Sequence, residues 1–325
     1  MVIKEEPSSV YIDGITYQFG EIACDISREA ESFDGPDKAW ADLILQNGMK
    51  TYYKSNQCCL DFSSSVARSS VDSFGCSAAD IDSVIFTSYS YRSQFSHSQL
   101  SQDGFNFSKY IQSKLTKEID FINAEFFGVF LTESGNFASL IRAARNLILA
   151  EGKRNILCIN VDKIPKTPTQ RRGALSGVMT NTDVVAAFIV SSEKGQFKVE
   201  GVSQVFSPYL NTLGRGEGLK KQMEIMRGIS DSASNTLSKL GHSPKDYTSL
   251  LMNNYSLELM RQFAGYMGFS EDILFSENLP KFAHAFTADN IINLSTITPK
   301  LNTGDRVFML SGGTTNWGTC SVQKL

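Results

Sequence analysis

The feature that most constrains the fold of this chain is the alternation of strand patterns with helix patterns along all 325 residues. Short apolar runs rich in β-branched residues, such as SVIFTSYS, NILCINVD and DVVAAFIVSS, predict buried strands. Amphipathic segments that end in glycine, such as DKAWADLILQNG and LKKQMEIMRGISDSASNTLSKLG, predict the helices between them. Strands that alternate with helices over this length predict an α/β fold.

The two halves of the chain repeat this order of elements without obvious similarity in sequence. The length is sufficient for one large domain or two fused ones, each with a buried core. Because no Gly/Ser-rich linker separates the halves, we expect them to be fused, with residues 1–172 as the first half and 173–325 as the second. The most linker-like segment is RRGALSGVMTNTD, residues 171–183.

Composition and charge argue against several classes of protein. The net charge is −3 and no basic run stands out, which disfavours a nucleic-acid partner. No apolar run reaches the roughly 18 residues that a membrane span requires, so no membrane insertion is expected. The opening MVIKEEPSSV lacks the apolar core of a signal peptide, and we expect a cytoplasmic protein.

Cysteine and histidine usage bears on redox state and metal binding. The six cysteines show no CxxC spacing and only Cys58 and Cys59 are adjacent, so we expect reduced thiols. Three scattered histidines and no clustered cysteines supply no ligand set, so no metal site is expected. P-loop and GxGxxG patterns are absent, and no bound cofactor is expected.

Ser134 lies where the apolar segment FFGVF turns into the helix pattern LTESGNFASLIRAARNLILAEG. Two interpretations fit this position. Serine is a preferred N-cap residue, so Ser134 could serve only to begin the helix. It could instead be a nucleophile, because the N–H groups and the positive dipole end of a helix stabilise an oxyanion formed beside it. A serine hydroxyl is a weak nucleophile and would need a base.

His284 is the candidate base. His97, in YRSQFSHSQLSQDG, and His242, in LGHSPKD, lie in polar segments that predict exposed loops. His284 lies in the mostly apolar segment LPKFAHAFTADNIINL, and Asp289 follows five residues later at the apparent start of a helix. A carboxylate near the imidazole could fix its tautomer and stabilise the imidazolium. The alternatives are a hydrogen-bonded core histidine and an aspartate that caps the helix.

The segment SGGTTNWGTC near the C-terminus contains a third signal. Gly312 and Gly313 at the end of a strand would let the backbone approach another group closely. The alternative is a plain hairpin turn.

These segments, taken in order, resemble the ketoacyl synthase III branch of the thiolase superfamily over nearly the whole chain. NGMKTYYKSN resembles the TGIxxR segment of that family, and CSAADIDSVIFTSYS its helix-to-strand step. SGNFASLIRAARNLILAEGKRNILCINVDKI resembles the nucleophile helix and following strand, where the family has CxGxxxAL. MTNTDVVAAFIVSS and GDRVFMLSGGTTNWGTCSVQKL resemble FGDGAGAAVL and the closing Gly–Gly and Trp–Gly pattern.

The resemblance implies a thiolase fold, with two similar halves forming a five-layered αβαβα core, and normally a homodimer. It also implies thioester chemistry, because the family forms an acyl-enzyme on cysteine and then condenses or transfers the acyl group. The co-substrate would be an acyl-CoA or a phosphopantetheinyl acyl carrier protein.

The departures from the family pattern are informative. Ser134 stands at the cysteine position, with Gly135 as a possible one-residue offset. Asn253, in LLMNNYS, stands where decarboxylating members carry histidine, and His284 stands where they carry asparagine. In those members the His/Asn pair stabilises the carbanion released by decarboxylation of a malonyl unit.

A histidine followed by an aspartate at this spacing resembles a subgroup of acyltransferases in secondary metabolism. There a Cys or Ser acts with His and Asp as a triad on an oxygen, nitrogen or sulfur acceptor. The resemblance therefore implies a Ser134–His284–Asp289 triad, with the backbone N–H groups of Ser134 and Gly313 as oxyanion donors. The acceptor would be a small molecule.

The donor and two alternative functions stay open at this point. Asp42 and Gln46 stand near the family's coenzyme A-binding Trp and Arg, and Glu258 near its carrier-docking Arg, which argues against ordinary fatty-acid synthesis. One alternative is a starter-unit ketosynthase that forms a carbon–carbon bond with a malonyl thioester, with Asn253 as an active-site residue. The other is a non-catalytic thiolase-fold subunit of a heterodimer.

Overall fold

The computed structural model describes residues 9–31, 34–90, 106–164, 179–214 and 216–325. Within these ranges the chain forms eleven strands and nine α-helices. The predicted exposed loop with His97 and most of the predicted linker lie outside the described residues. The strands are β1 Tyr11–Phe19, β2 Ile22–Asp25, β3 Thr51–Lys54, β4 Ser83–Thr87, β5 Glu125–Val129, β6 Asn155–Asp162, β7 Val184–Ser191, β8 Phe197–Phe206, β9 Ser249–Met252, β10 Arg306–Gly312 and β11 Asn316–Lys324. The helices are α1 Ile26–Ala30, α2 Gly35–Gln46, α3 Ser63–Phe74, α4 Phe107–Leu115, α5 Asn136–Glu151, α6 Gly218–Leu240, α7 Leu257–Tyr266, α8 Leu279–Phe282 and α9 Asp289–Ile297.

Nine of these strands form one sheet in the order β5-β4-β6-β7-β1-β8-β11-β10-β9. The two halves of the sheet have the same pairing pattern. In the first, β4 is parallel to β6, and β6–β7 and β7–β1 are antiparallel. In the second, β9 is parallel to β10, and β10–β11 and β11–β8 are antiparallel. The halves meet at β1 and β8 through only the pairs Tyr11–Lys198 and Ile12–Phe197.

The repeated order of elements in the sequence therefore corresponds to a repeated sheet topology. Strand β7 pairs with β6 and β1, so it completes the first half of the sheet. Strand pairing thus groups β7 with the first half of the sheet, and the division predicted at residues 172 and 173 stays a prediction.

The two halves of the sheet form two layers, which alternate with three layers of helices. Alternate residues of β6 point to different cores: Ile156 and Cys158 belong to a central cluster, and Leu157 and Ile159 to an outer one. The central cluster contains α5 and α9, which contact strands of both halves. Helices α3 and α4 cover the outer face of the first half, and α2, α6 and α7 cover that of the second. The predicted five-layered αβαβα fold is confirmed.

Most predicted helix ends are confirmed. Helices α3, α5 and α6 end at Gly75, Gly152 and Gly241, which adopt the left-handed backbone conformation that glycine tolerates best. A 3₁₀ turn over Cys59–Phe62 precedes α3, which begins at Ser63. No helix of the described residues combines the length and apolarity needed to cross a membrane.

Glycine within α6 has a packing role. Gly228 is buried, and a Cβ built there would lie 2.0 Å from Cε3 of Trp317 on β11. The indole therefore rests directly on the helix backbone and fixes how closely α6 approaches the sheet. This contact accounts for part of the closing Trp–Gly pattern, because Gly318 in turn leaves room for Ala138 of the central helix α5.

We expect Gly228→Ala to destabilise the fold by about 1–3 kcal/mol, because the methyl group must displace Trp317 or the helix in a close-packed core. Gly265→Ala in α7 is the matched control: Gly265 is exposed and a Cβ there would meet nothing within 4 Å. This control should be stabilising by about 0.4–1 kcal/mol, since alanine favours the helix. Urea unfolding of both variants measures the difference; equal stability of the two would contradict the proposed contact.

Candidate active site

Ser134 lies in a tight turn between β5 and α5. A 3₁₀ turn spans Glu133–Gly135, and the N-cap of α5 is Gly135, with no side-chain capping bond. The interpretation of Ser134 as the helix cap is therefore wrong. Its hydroxyl instead lies 3.2 Å from Nε2 of His284, and the side chain is buried at the wall of a cavity. Gly135, the alternative match, has no side chain to act as a nucleophile.

The backbone of this turn is strained, and hydrogen bonds from other elements hold it in place. Glu133 has φ +49°, a left-handed conformation that is unfavourable for a residue with a Cβ. The Ser311 hydroxyl donates to the Ser134 carbonyl at 2.8 Å, and the Thr287 hydroxyl donates to the Glu133 carbonyl at 3.3 Å. These two contacts, from β10 and from the segment before α9, fix Ser134 relative to the second half of the chain.

His284 is held on its backbone and on both ring faces. Its N–H donates to Thr180 O at 3.0 Å and its carbonyl accepts from Thr182 N at 2.8 Å. The end of the predicted linker is thus a buried extended segment that pairs with the histidine. The ring packs between Tyr255 and Phe286, with centroid distances of 5.4 and 5.5 Å. The histidine therefore has little freedom to rotate away from Ser134.

Asp289 orients the imidazole. Its Oδ2 lies 2.5 Å from Nδ1 of His284, and both side chains are buried. Because a carboxylate only accepts hydrogen bonds, Nδ1 carries the proton and Nε2 presents its lone pair to Ser134. The carboxylate also accepts the N–H groups of Ala285, at 2.7 Å, and Asn254, at 2.9 Å. The N-cap of α9 is Ala288, so Asp289 does not cap this helix.

The structure therefore brings the three predicted triad residues into one hydrogen-bonded chain. The order is Ser134, His284 and Asp289, from the cavity wall to the buried core. A base within reach of a nucleophile, itself oriented by a third group, is the arrangement that activates a serine hydroxyl.

Asn253 lies beneath the triad. It is fully buried and is not among the described residues that line the cavity. Its amide nitrogen donates to Phe286 O at 2.8 Å, and its oxygen accepts Gly312 N–H at 3.0 Å. The amide nitrogen also lies 3.5 Å from Asp289 Oδ2, so Asn253 connects the turn after His284, the aspartate and the end of β10.

The predicted oxyanion donors differ in geometry. The Ser134 N–H lies in the first turn of a helix, where backbone N–H groups have no intrahelical partner. The Gly313 N–H donates to Asn316 O at 2.8 Å, which closes the β10–β11 hairpin. A role for Gly313 in oxyanion binding therefore requires that its proton be shared. The predicted close backbone approach is confirmed, because a Cβ at Gly313 would lie 2.9 Å from Thr132 O.

Ser134 and His284 open onto a cavity of about 600 Å³ whose walls are mainly apolar. Helices α6 and α7 supply much of the wall. Burial raises the pKa of Tyr255, whose hydroxyl donates to Gly312 O at 2.7 Å, so this wall residue stays protonated. The described lining residues are Tyr89, Glu133, Ser134, Met179, Asn181, Gly218, Lys221, Gln222, Ile225, Met226, Tyr255, Leu259, Gln262, Phe263, Tyr266, His284, Phe286, Gly312, Gly313, Thr314 and Trp317.

Several site residues were missed from the sequence. Asn254 acts through its backbone N–H, which leaves no signal in residue identity. Tyr255 and Phe286 enclose the histidine ring but lie in short segments without periodic pattern. Glu133 was overlooked although it immediately precedes the candidate nucleophile.

The other histidine and the cysteines lie apart from this site. His242 is half-buried and its Nδ1 lies 3.1 Å from the Tyr247 hydroxyl, so it is less exposed than predicted. Cys24, Cys59, Cys76, Cys158 and Cys320 form no disulfide in the part of the chain that the structure describes. Within the described ranges, no group of three or more His, Cys, Asp or Glu side chains is arranged to hold a metal ion.

Comparison with known proteins identifies the fold. No protein-family model matches the sequence. No curated protein sequence matches it significantly. Among solved structures, ChlB3, an acyltransferase, superposes with a TM-score of 0.82 at 17% sequence identity, over 98% of each chain.

Two further structures agree. The 3-oxoacyl-[acyl-carrier-protein] synthase III of Aquifex aeolicus VF5 gives a TM-score of 0.73 at 14% identity, over 97% of this chain and 99% of the other. The priming β-ketosynthase of the R1128 polyketide pathway gives a TM-score of 0.74 at 14% identity, over 97% of this chain and 96% of the other. Over nearly its whole length, this chain therefore has the thiolase fold in the form found in ketoacyl-(acyl-carrier-protein) synthase III structures.

Proposed function

We propose that this protein is an acyltransferase that moves an acyl group from a thioester to a small-molecule acceptor through an ester on Ser134. The observation that carries the proposal is the hydrogen-bonded chain Ser134–His284–Asp289 at the wall of a mainly apolar cavity. The donor is an acyl-CoA or a phosphopantetheinyl acyl carrier protein; the names of similar synthase structures include an acyl carrier protein.

In the first step Ser134 Oγ attacks the thioester carbonyl while Nε2 of His284 takes its proton. The imidazolium that forms is stabilised by the Asp289 carboxylate. The oxyanion lies near the Ser134 N–H, with the Gly313 N–H as a shared second donor; one such donor typically stabilises the transition state by ~3 kcal/mol. The imidazolium then protonates the departing thiolate, which leaves the acyl group as an ester on Ser134.

In the second step the acceptor occupies the space left by the thiol. His284 removes a proton from its hydroxyl, amine or thiol as that group attacks the ester carbonyl. The proton passes to Ser134 Oγ as the ester breaks, which restores the resting enzyme. The step needs no decarboxylation and no group beyond the triad.

The structure gives reasons to rank the alternatives lower. A carbon–carbon-forming enzyme would need Asn253 to contact the malonyl unit, but Asn253 does not line the described cavity and its amide is already bonded to Phe286 O and Gly312 N–H. A non-catalytic subunit gives no reason for a buried His284–Asp289 pair aimed at a serine.

We also propose that the protein is a homodimer joined through β5. This strand is an edge of the nine-stranded sheet, and Phe127 on it is 42% exposed. An open edge with an exposed aromatic side chain favours pairing with another strand. A second copy of the same edge would extend the sheet across a two-fold axis.

The dimer proposal predicts sedimentation at twice the chain mass of 35.9 kDa. Phe127→Lys should shift the protein toward monomer, because a charged side chain at a sheet edge opposes pairing. Phe206→Lys is the matched control, since Phe206 is a similarly exposed aromatic at the end of β8. A monomeric or aggregating wild-type protein would contradict the proposal and favour the heterodimer alternative.

The acyl-enzyme predicts a mass increase on Ser134 after incubation with a panel of acyl-CoA and acyl-carrier thioesters. Intact-protein mass spectrometry should show the adduct in the wild type and not in Ser134→Ala, because only the hydroxyl can form the ester. Its mass would identify the acyl group. Ser234→Ala, an exposed serine on α6, is the control that should keep the adduct.

The same incubation separates transfer from condensation. With a malonyl thioester as second substrate we expect no carbon dioxide release, because the triad removes protons from heteroatoms. An adduct that persists in Ser134→Ala, or release of carbon dioxide at the rate of acyl turnover, would overturn the proposed reaction.

We expect Asp289→Asn to lower the rate of acylation by roughly 10³- to 10⁴-fold without unfolding the protein, since an amide at this position stabilises the wrong imidazole tautomer. The rate is measured by following adduct mass after rapid mixing. Asp231→Asn on the exposed face of α6 is the control. Equal acylation rates in the two variants would show that Asp289 has only a structural role.

A further inference from the structure

Glu133 directly precedes Ser134 and lines the same cavity. Consecutive Cα atoms are about 3.8 Å apart, so the carboxylate can reach a group bound beside the reacting carbonyl. Its φ of +49° is held by the surrounding contacts, and such strain in a cavity-lining residue is characteristic of functional sites. The proposed reaction gives this residue no role.

The bonds of the Glu133 carboxylate leave one oxygen available. Oε2 accepts both the N–H and the hydroxyl of Thr314, each at 2.5 Å. These bonds fix the carboxylate against the loop after β10. Among the residues that the structure describes, no donor bonds to Oε1 and no cation forms an ion pair with this side chain. The carboxylate is therefore positioned and retains hydrogen-bonding capacity.

The charge on Glu133 affects another residue of the cavity wall. Burial raises the pKa of Tyr89, and the negative charge of Glu133 raises it further. Of the described lining residues, Glu133 is the one carboxylate and Lys221, on the first turn of α6, the one amine. Behind His284 lies a second negative charge, Asp289. Two carboxylates, Glu133 and Asp289, therefore lie near Ser134, and Lys221 is the positive group of the described lining.

We infer that Glu133 is a specificity-determining residue that selects an acceptor carrying a protonated amino group beside the nucleophile to be acylated. This inference rests on the proposed acyltransferase function. The ammonium would bind Oε1 while the neighbouring hydroxyl, amine or thiol loses its proton to His284 and attacks the ester. The ammonium keeps its proton throughout, so Glu133 binds the acceptor and takes no part in proton transfer.

The same carboxylate disfavours acceptors that carry a carboxylate. An anionic acceptor would bring two negative charges together in a poorly screened site. A malonyl unit is such an acceptor until it loses carbon dioxide. Glu133 thus supplies an electrostatic reason for transfer in place of condensation, independent of the bonds made by Asn253.

Three acceptors of nearly equal size test the inference: 3-amino-1,2-propanediol (cationic), glycerol (neutral) and glycerate (anionic). Acetyl-Ser134 is prepared with p-nitrophenyl acetate and desalted, and its loss with each acceptor is followed by intact mass. In the wild type we expect the cationic acceptor to react fastest and the anionic acceptor slowest. The second-order rate constants of these two should differ by about 10-fold or more. In Glu133→Gln the three should agree within about 2-fold.

Glu133→Gln keeps an oxygen that can accept both bonds from Thr314, so the turn should survive the substitution. Glu193→Gln, at an exposed position, is the matched control and should keep the wild-type order. A measurement on the wild type alone adds a check that does not depend on folding of the variant. Added salt should reduce the ratio of the rate constants for the cationic and anionic acceptors, because screening weakens the charge interaction.

The outcomes separate the two claims. No acetyl-Ser134 in the wild type would overturn the proposed function and this inference with it. An adduct that all three acceptors release equally in the wild type, or an order unchanged in Glu133→Gln, would overturn only the role of Glu133. A fastest reaction with neutral glycerol would show that the acceptor is a polyol and not an amine.

Discussion

The hydrogen bond between His284 and Asp289 is the interaction on which the site depends. A carboxylate with no exposed surface is tolerated only when its oxygens are satisfied. Here Nδ1 of His284 and the N–H groups of Ala285 and Asn254 supply that satisfaction. The same bonds fix the turn that holds His284. The groups that stabilise the buried carboxylate therefore also orient the imidazole toward Ser134.

The two halves of the fold meet at this point. The nucleophile turn belongs to the first half, at the end of β5, and the histidine and aspartate belong to the second. Each lies beside a residue in the left-handed backbone region, Glu133 before Ser134 and Ala283 before His284. Strain on both sides is balanced by bonds that cross between the halves, such as Ser311 Oγ to Ser134 O. The site is thus a product of the fusion of the halves.

Much of the fold could be predicted because it depends on local patterns. Strand β6 matches NILCINVD to the residue, and the glycine helix stops follow from backbone conformation. Strand β5 begins at Glu125, directly before the apolar segment FFGVF. The pairing of β7 with β6 and β1 could not be predicted, because strand pairing leaves no mark in local composition.

The site was predictable in part for a different reason. His284 and Asp289 are close in sequence, so their contact could be predicted from spacing. Ser134 lies 150 residues from His284, and their pairing was predicted from the small number of histidines and from the family resemblance. The choice between cap and nucleophile needed the geometry, since serine fits both roles. The engagement of Gly313 N–H with Asn316 O could not be predicted, because it depends on how the hairpin closes.

The exchange of asparagine and histidine relative to decarboxylating synthases has a consistent physical meaning. At position 253, a side chain that both donates and accepts can connect Phe286 O to Gly312 N–H, which an imidazole could do only in a different geometry. At position 284, an imidazole with Asp289 behind it becomes a base. In decarboxylating synthases the histidine and asparagine at these positions are neutral groups that would polarise a carbonyl. Here Asn253 is a structural amide and His284 is a proton acceptor. The fold is unchanged. Under the proposed function, the group that meets the acyl-enzyme removes protons from heteroatoms, as acyl transfer requires.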